Sequence, residues 1–256
     1  MAKRIQARNR RRQLREINQI DRMERRLEHT SMPQIRKELN SIAKDALSAY
    51  RIGGQRNAEI TIEGAESRLA ETIEKMYKRT IKNTEKLLKE NYPNDKAKVE
   101  QVRRELERNF KKQAQRASKQ ISESTKRQMD KVIKKGHEDK VSDAEIQDKL
   151  AKKIGKNGRR AQIISEVEIG SVTAEGRDKL SKKVYDKDTR KVWVTHRDSR
   201  VRDSHQHAEG QTVDANKNFV LYGKRTERAP YPRYRGLSAA QRVNCRCRVI
   251  FLKEGE

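Results

Sequence analysis

The sequence predicts a mostly α protein in which long N-terminal helices are followed by a small α+β C-terminal module. Three observations predict it. Across the first two thirds of the 256 residues, apolar side chains recur at steps of three and four, the spacing that gathers them on one face of a helix. Hydrophobic residues make up 32%, charged residues 39% and aromatics 4%, so helices can bury narrow stripes while one large core is out of reach. From Lys191 onward the texture changes to short alternating segments, turn residues and both cysteines.

Taken in order, Leu14, Ile17, Ile20, Met23 and Leu27 form a first stripe. Ile35, Leu39, Ile42, Ala46 and Tyr50 form a second. Pro33 is expected at the start of that second helix, where its missing N–H costs nothing. The segment IGGQRN, Ile52 to Asn57, reads as a break. Leu69, Ile73, Met76, Tyr77, Ile81 and Leu88 carry a third helix that stops near Tyr92–Pro93. A fourth stripe runs through Val99, Val102, Leu106, Phe110, Ala114, Ala117, Ile121, Thr125, Met129 and Val132. Its eleven-residue repeat keeps the seam straight or slightly right-handed, unlike the left-handed seam of a heptad repeat. After Gly136, SDAE (Ser142 to Glu145) is a capping box for a short helix with Ile146, Leu150 and Ile154. Another helix is expected from about Arg160 to Lys182. KVWVT, Lys191 to Thr195, is the first convincing strand and holds the only Trp, and CRCRVIFL closes the module as a second. The expected organisation is an elongated basic helical region over 1–159, a connecting helix over 160–190 and the α+β module over 191–256.

Lys and Arg number 63 against 37 Asp and Glu, a formal net charge of +26. A field of that size favours polyanions, nonspecific double-stranded DNA above all. Two clusters stand out as contacts: Arg8, Arg10, Arg11 and Arg12 near the N-terminus, and Lys224, Arg225, Arg233 and Arg235 interleaved with tyrosines in YGKRTERAPYPRYRG. The alternative occupants of such surfaces are solvent or an acidic protein. No long apolar run or lipidation signal predicts a membrane anchor, and MAKRIQARNRRRQLR lacks the apolar core of a secretory signal. Two cysteines without such a signal fit a reducing compartment.

Cys245 and Cys247 are one residue apart, as are His205 and His207. On extended chain each pair points one way, and together they offer the two thiolates and two imidazoles of a tetrahedral zinc site. The alternative is buried strand cysteines with histidines on a polar loop. Thr195, Asp198, His205 and Cys245 can be arranged on paper as nucleophile, base and orienter. No spacing specifies that arrangement and no glycine-rich phosphate loop is present, so no enzyme is expected.

The order of residues in the last third resembles the Mu protein F-like phage head morphogenesis family. The residues that carry the resemblance are Trp193, Thr195, Asp198, Arg200, His205, Gly210 and Phe219, then Pro230 and Pro232, then Asn244, Cys245, Arg246 and Cys247. Upstream, RAQIISEVEIGSV resembles the helix that precedes this module, with Glu168 at the family's glutamate. Arg202 and Arg242 stand where metal-bound-looking members carry a cysteine and a histidine. The resemblance covers about Arg160 to Leu252. It implies a minor capsid protein made in the host cytoplasm and built into the virion, inside the head at the portal vertex. The partners implied are the portal protein, with scaffolding or major capsid protein beside it, and the charge adds packaged DNA and a part in head assembly or genome ejection. The alternative is a free-standing nucleic-acid-binding protein of a mobile element.

Overall fold

The computed structural model describes residues 2–155, 157–185 and 189–253, with side chains described from Arg11 to Leu252 among them. The helices are α1 (Ala2–Gly64), α2 (Glu66–Asn91), α3 (Lys96–Glu138), α4 (Asp143–Gly155), α5 (Gly158–Val184), α6 (Asp203–Gln206) and α7 (Ala239–Arg242). The strands are β1 (Thr189–Val194), β2 (Thr212–Asp214), β3 (Phe219–Tyr222), β4 (Thr226–Ala229) and β5 (Arg248–Lys253). The architecture is mostly α, with a few antiparallel strands confined to the C-terminal region. Among the described residues no helix is long and apolar enough to cross a membrane.

Two boundaries differ from expectation. The first two expected helices are one, and Pro33 lies inside α1 instead of at a helix start. IGGQRN does interrupt the helix, as a kink: Gly53 and Gly54 leave helical geometry, and Gly54 takes φ 70° and ψ −160°, a conformation open essentially to glycine alone. The stop near Tyr92 is present, with α2 ending at Asn91 and a 3-10 turn at Pro93–Asp95. The capping box is formed: the Glu145 N–H donates to Ser142 Oγ at 3.3 Å, and α4 begins at Asp143.

The chain divides into two compact units that do not follow sequence order. One gathers residues 1–27, 79–107 and 166–256; the other gathers 28–78 and 108–165. The second unit is helical. Ile35, Leu39, Ile42, Ile62, Leu69 and Ile73 are buried in it, as are Ala114, Ala117, Met129, Ile146, Leu150 and Ile154. The seam is buried at Val99, Val102, Leu106, Ala114, Ala117, Thr125 and Met129, whereas Phe110, Ile121 and Val132 are half-buried and Ile133 is buried next to the last of these. Arg160 ties α5 to α3 by donating to the Ile121 carbonyl and to Thr125 Oγ1, both at 2.8 Å.

In the first unit the strands form a three-stranded antiparallel sheet, ordered β2–β1–β5, and a separate β3–β4 hairpin. Trp193 on β1 faces Val249 on β5. Trp193, Phe219, Leu221, Cys245, Cys247, Val249 and Phe251 share one buried core. The alternation read from CRCRVIFL is thus real, although the strand itself begins only at Arg248. Ile250, on the opposite face, is buried as well.

The N-terminal helix closes the open edge of this sheet. Trp193 and Phe219 meet edge-to-face at 5.3 Å inside the core. On the side of β5 away from β1, Arg177 donates to the Val249 carbonyl at 2.9 Å, and the Gln13 carboxamide bonds both main-chain groups of Phe251. Unpaired edge groups are thereby satisfied, as buried main-chain polar groups require. Gln13 is buried, whereas Leu14, the residue expected to start the stripe, is 42% exposed.

Candidate functional site

Several of the family-like residues of the module have a structural task. Thr195 follows β1; its N–H donates to Glu209 at 2.6 Å and its hydroxyl accepts from the Arg197 N–H at 3.2 Å. Glu209 also holds the Arg197 guanidinium, and Arg197 takes φ 53°. Gly210 has φ 74° and its N–H donates to the Trp193 carbonyl at 2.9 Å; that positive φ suits glycine. Asp198 accepts from the Arg200 N–H at 3.1 Å and from the Arg246 guanidinium at 2.6 Å. The Arg246 hydrogen bond holds the Asp198 carboxyl at about 2, below its ordinary 3.8. Arg200 itself is exposed. Asn244 sits at φ 56° in the turn after α7, a left-handed conformation that asparagine tolerates. That turn delivers Cys245 and Cys247 to the core.

There the two thiols meet His205, the third residue of α6. Its Nδ1 lies 3.7 Å from Cys245 Sγ and 3.4 Å from Cys247 Sγ. The three donor atoms all lie within 4.8 Å of one another, and all three residues are buried. The ring of Trp193 meets His205 edge-on at 5.4 Å. Cys245, hydrogen-bonded by the neighbouring Cys247 thiol and then by His205, is held well below the ordinary thiol range, while Cys247 is pushed up. His205 Nε2 is buried without a partner among the described residues. Sulfur and nitrogen bound to one zinc ion stand about 3.5 Å apart, given bond lengths near 2.3 and 2.0 Å. The separations here fit donors that share one ion. The fourth expected ligand does not join them: His207 is exposed, with Nδ1 2.8 Å from the Asp203 carbonyl. Residue 207 falls outside the turn of helix that aims His205 inward, so the set has three protein donors where a closed structural zinc site uses four.

The two arginines at the metal-ligand positions bind main chain and carboxylate. Arg202 donates to the Ala240 and Val243 carbonyls, which fixes α7 and the turn before Cys245. Arg242 reaches Glu168 at 3.2 Å.

The expected DNA contacts divide. The side chains of Arg8 and Arg10 lie outside the described residues. Arg11 and Arg12 are exposed, with Arg12 set over the Tyr92 ring at 5.3 Å. Lys224 and Arg225 are exposed in the turn between β3 and β4. Arg233 and Arg235 turn inward. Arg233 is 6% exposed; its guanidinium donates to Glu24 at 2.9 Å and to the Cys245 carbonyl at 2.5 Å. Arg235 is bonded to Glu168. A guanidinium committed to a buried carboxylate is not presented to a polyanion, so these two positions are structural.

Sequence reasoning missed a buried ionic network. Glu24 accepts from Arg233 and Arg248, Asp21 also takes Arg248 at 2.6 Å, and Glu16 takes Arg177 at 2.9 Å. Burial pushes the Glu24 carboxyl up, but Arg248 and then Arg233 outweigh it and hold it low. Gly170 permits this packing: a Cβ there would overlap the Arg233 guanidinium. The signal was present in the first helix, where Gln13, Ile17, Ile20, Glu24 and Leu27 step by four and three along one face.

No curated protein and no solved structure matches this chain. Residues 127–250 match the family model described as Phage Mu protein F like protein.

Proposed function

We propose that the protein is a minor capsid protein of phage head morphogenesis, associated with the portal inside the head and in nonspecific contact with packaged DNA. The observation that carries the reading is the family match over residues 127–250. The role is architectural and no reaction is assigned. The thiol–imidazole grouping of His205 with Cys245 and Cys247 is buried. In this reading it stabilises the module, and Zn²⁺ is the ion it would hold through three protein donors. The +26 charge supplies the attraction to DNA, which weakens as salt rises because phosphate contacts release counterions. The portal protein is the primary partner, with scaffolding or major capsid protein adjacent. The same placement allows a part in head assembly or genome ejection.

The test is quantitative mass spectrometry of gradient-purified particles from cells carrying the element, with this chain counted against portal and major capsid proteins. A few copies per portal ring, retained after a salt wash, are expected. Absence from both procapsids and mature particles overturns the reading in favour of a free-standing nucleic-acid-binding protein.

A further inference from the structure

The apolar seam of α3 has a counterpart on the opposite side of the same helix. Arg108, Lys112, Arg116, Lys119, Arg127 and Lys131 follow one another at steps of three and four, interrupted once by Glu123. All six are exposed. At 100° per residue this line lies roughly opposite Ala114, Ala117 and Met129, which are buried. Residues 108–135 hold ten Lys and Arg against two acidic residues, and one of these, Asp130, is engaged by Gln55.

Other cations of the same unit find carboxylates: exposed Arg68 pairs with Glu38 at 3.1 Å, and half-buried Lys126, on α3 itself, pairs with Glu63 at 2.7 Å. None of the six has a carboxylate within ion-pairing distance among the described residues. The helix thus lines up unneutralised charge over about 35 Å at 1.5 Å per residue, a cost in self-repulsion that a bound polyanion would remove.

We propose that this face of α3 is a docking surface for the backbone of duplex DNA. The choice of occupant follows from what the face lacks. Asn109, Lys111, Gln115, Gln120 and Glu123 are the other exposed residues of α3 between Arg108 and Lys131, so the face has no exposed apolar or aromatic anchor of the kind that dominates protein interfaces. It also has no aromatic ring on which single-stranded bases stack. What remains is a ladder of cations, which reads phosphates and no sequence. The assignment rests on the DNA-contacting part of the proposed function and locates it on a helix where the terminal arm and the hairpin turn would otherwise be the natural choice.

The experiment measures binding of the full chain to a random-sequence duplex across a salt series, by fluorescence anisotropy. One variant carries Lys112→Gln, Arg116→Gln, Lys119→Gln and Arg127→Gln. A charge-matched control carries Arg36→Gln, Lys37→Gln, Lys44→Gln and Lys75→Gln, all exposed in the same unit. Circular dichroism verifies that both retain helix. If α3 docks DNA, the slope of log affinity against log salt falls in magnitude by about 3 to 4 in the first variant, near 0.9 per lost phosphate contact, and stays close to wild type in the control. Equal losses in both variants, or none in either while the wild type binds, overturn the α3 surface and leave the DNA reading intact. A wild-type chain with no salt-dependent binding overturns the DNA reading itself.

Discussion

Gln13 and Phe251 are 238 positions apart, yet the carboxamide of the one pairs with both main-chain groups of the other, accepting from the Phe251 N–H at 2.9 Å. A helix side chain here does what a neighbouring strand would do for the open edge of β5. Arg177 completes the closure at Val249. The open edge of β5 is therefore finished by Gln13, from the far end of the chain, together with Arg177.

Replacing Gln13 by Ala is expected to strand a buried N–H and C=O, at a cost of about 1–3 kcal/mol. Leu14→Ala, at an exposed site, should cost less than about 0.5 kcal/mol. Urea denaturation followed by Trp193 fluorescence separates the two. Equal losses would show that the Phe251 edge does not depend on Gln13.

Glu24 joins two buried arginines, so Glu24→Gln leaves positive charge uncompensated in the interior. About 3–5 kcal/mol is expected, the range for breaking a buried ion pair from one side. Loss of less than 1 kcal/mol in the same denaturation measurement would mean that water reaches Arg233 and Arg248.

Asp198 titrates at about 2 in the fold and at 3.8 as an ordinary carboxyl. A lowered folded value contributes stability that is fully present above 3.8 and disappears as pH falls toward 2. Asp198→Asn should remove that share of the acid sensitivity in this window and change nothing in the pH dependence above pH 5. Unfolding midpoints measured from pH 6 to pH 2 check it; an unchanged acid profile would show that the Arg246 contact does not set the titration.

Zinc, if held, depends on His205 and not on His207. Added Zn²⁺ should raise the melting temperature of the reduced wild type and of His207→Ala alike, with about one ion per chain by elemental analysis. His205→Ala should take up none. Loss of uptake in His207→Ala would instead restore the four-ligand arrangement.

Helices, their seams and the capping box were legible in the sequence because 3.6-residue periodicity and local side-chain–main-chain bonds are properties of a few consecutive residues. Pro33 was misplaced because a proline inside a helix and one at a helix start leave the same local mark. Tertiary packing lets α1 run through. The inward turn of Arg233 and Arg235 was illegible for a different reason: their partners, Glu24 and Glu168, are 209 and 67 residues away.

By itself the sequence determined that the protein is mostly helical, strongly basic and closed by a small α+β module bearing the signature from Trp193 to Cys247. Those properties follow from composition, from local periodicity and from residue order. Only the tertiary structure decided which candidates share a site. It set His205 against Cys245 and Cys247, left His207 in solvent, and buried Gln13 while exposing Leu14. The physical reason is that burial and pairing depend on elements brought together over long separations, and adjacent residues on one chain give no measure of which of them faces a distant partner.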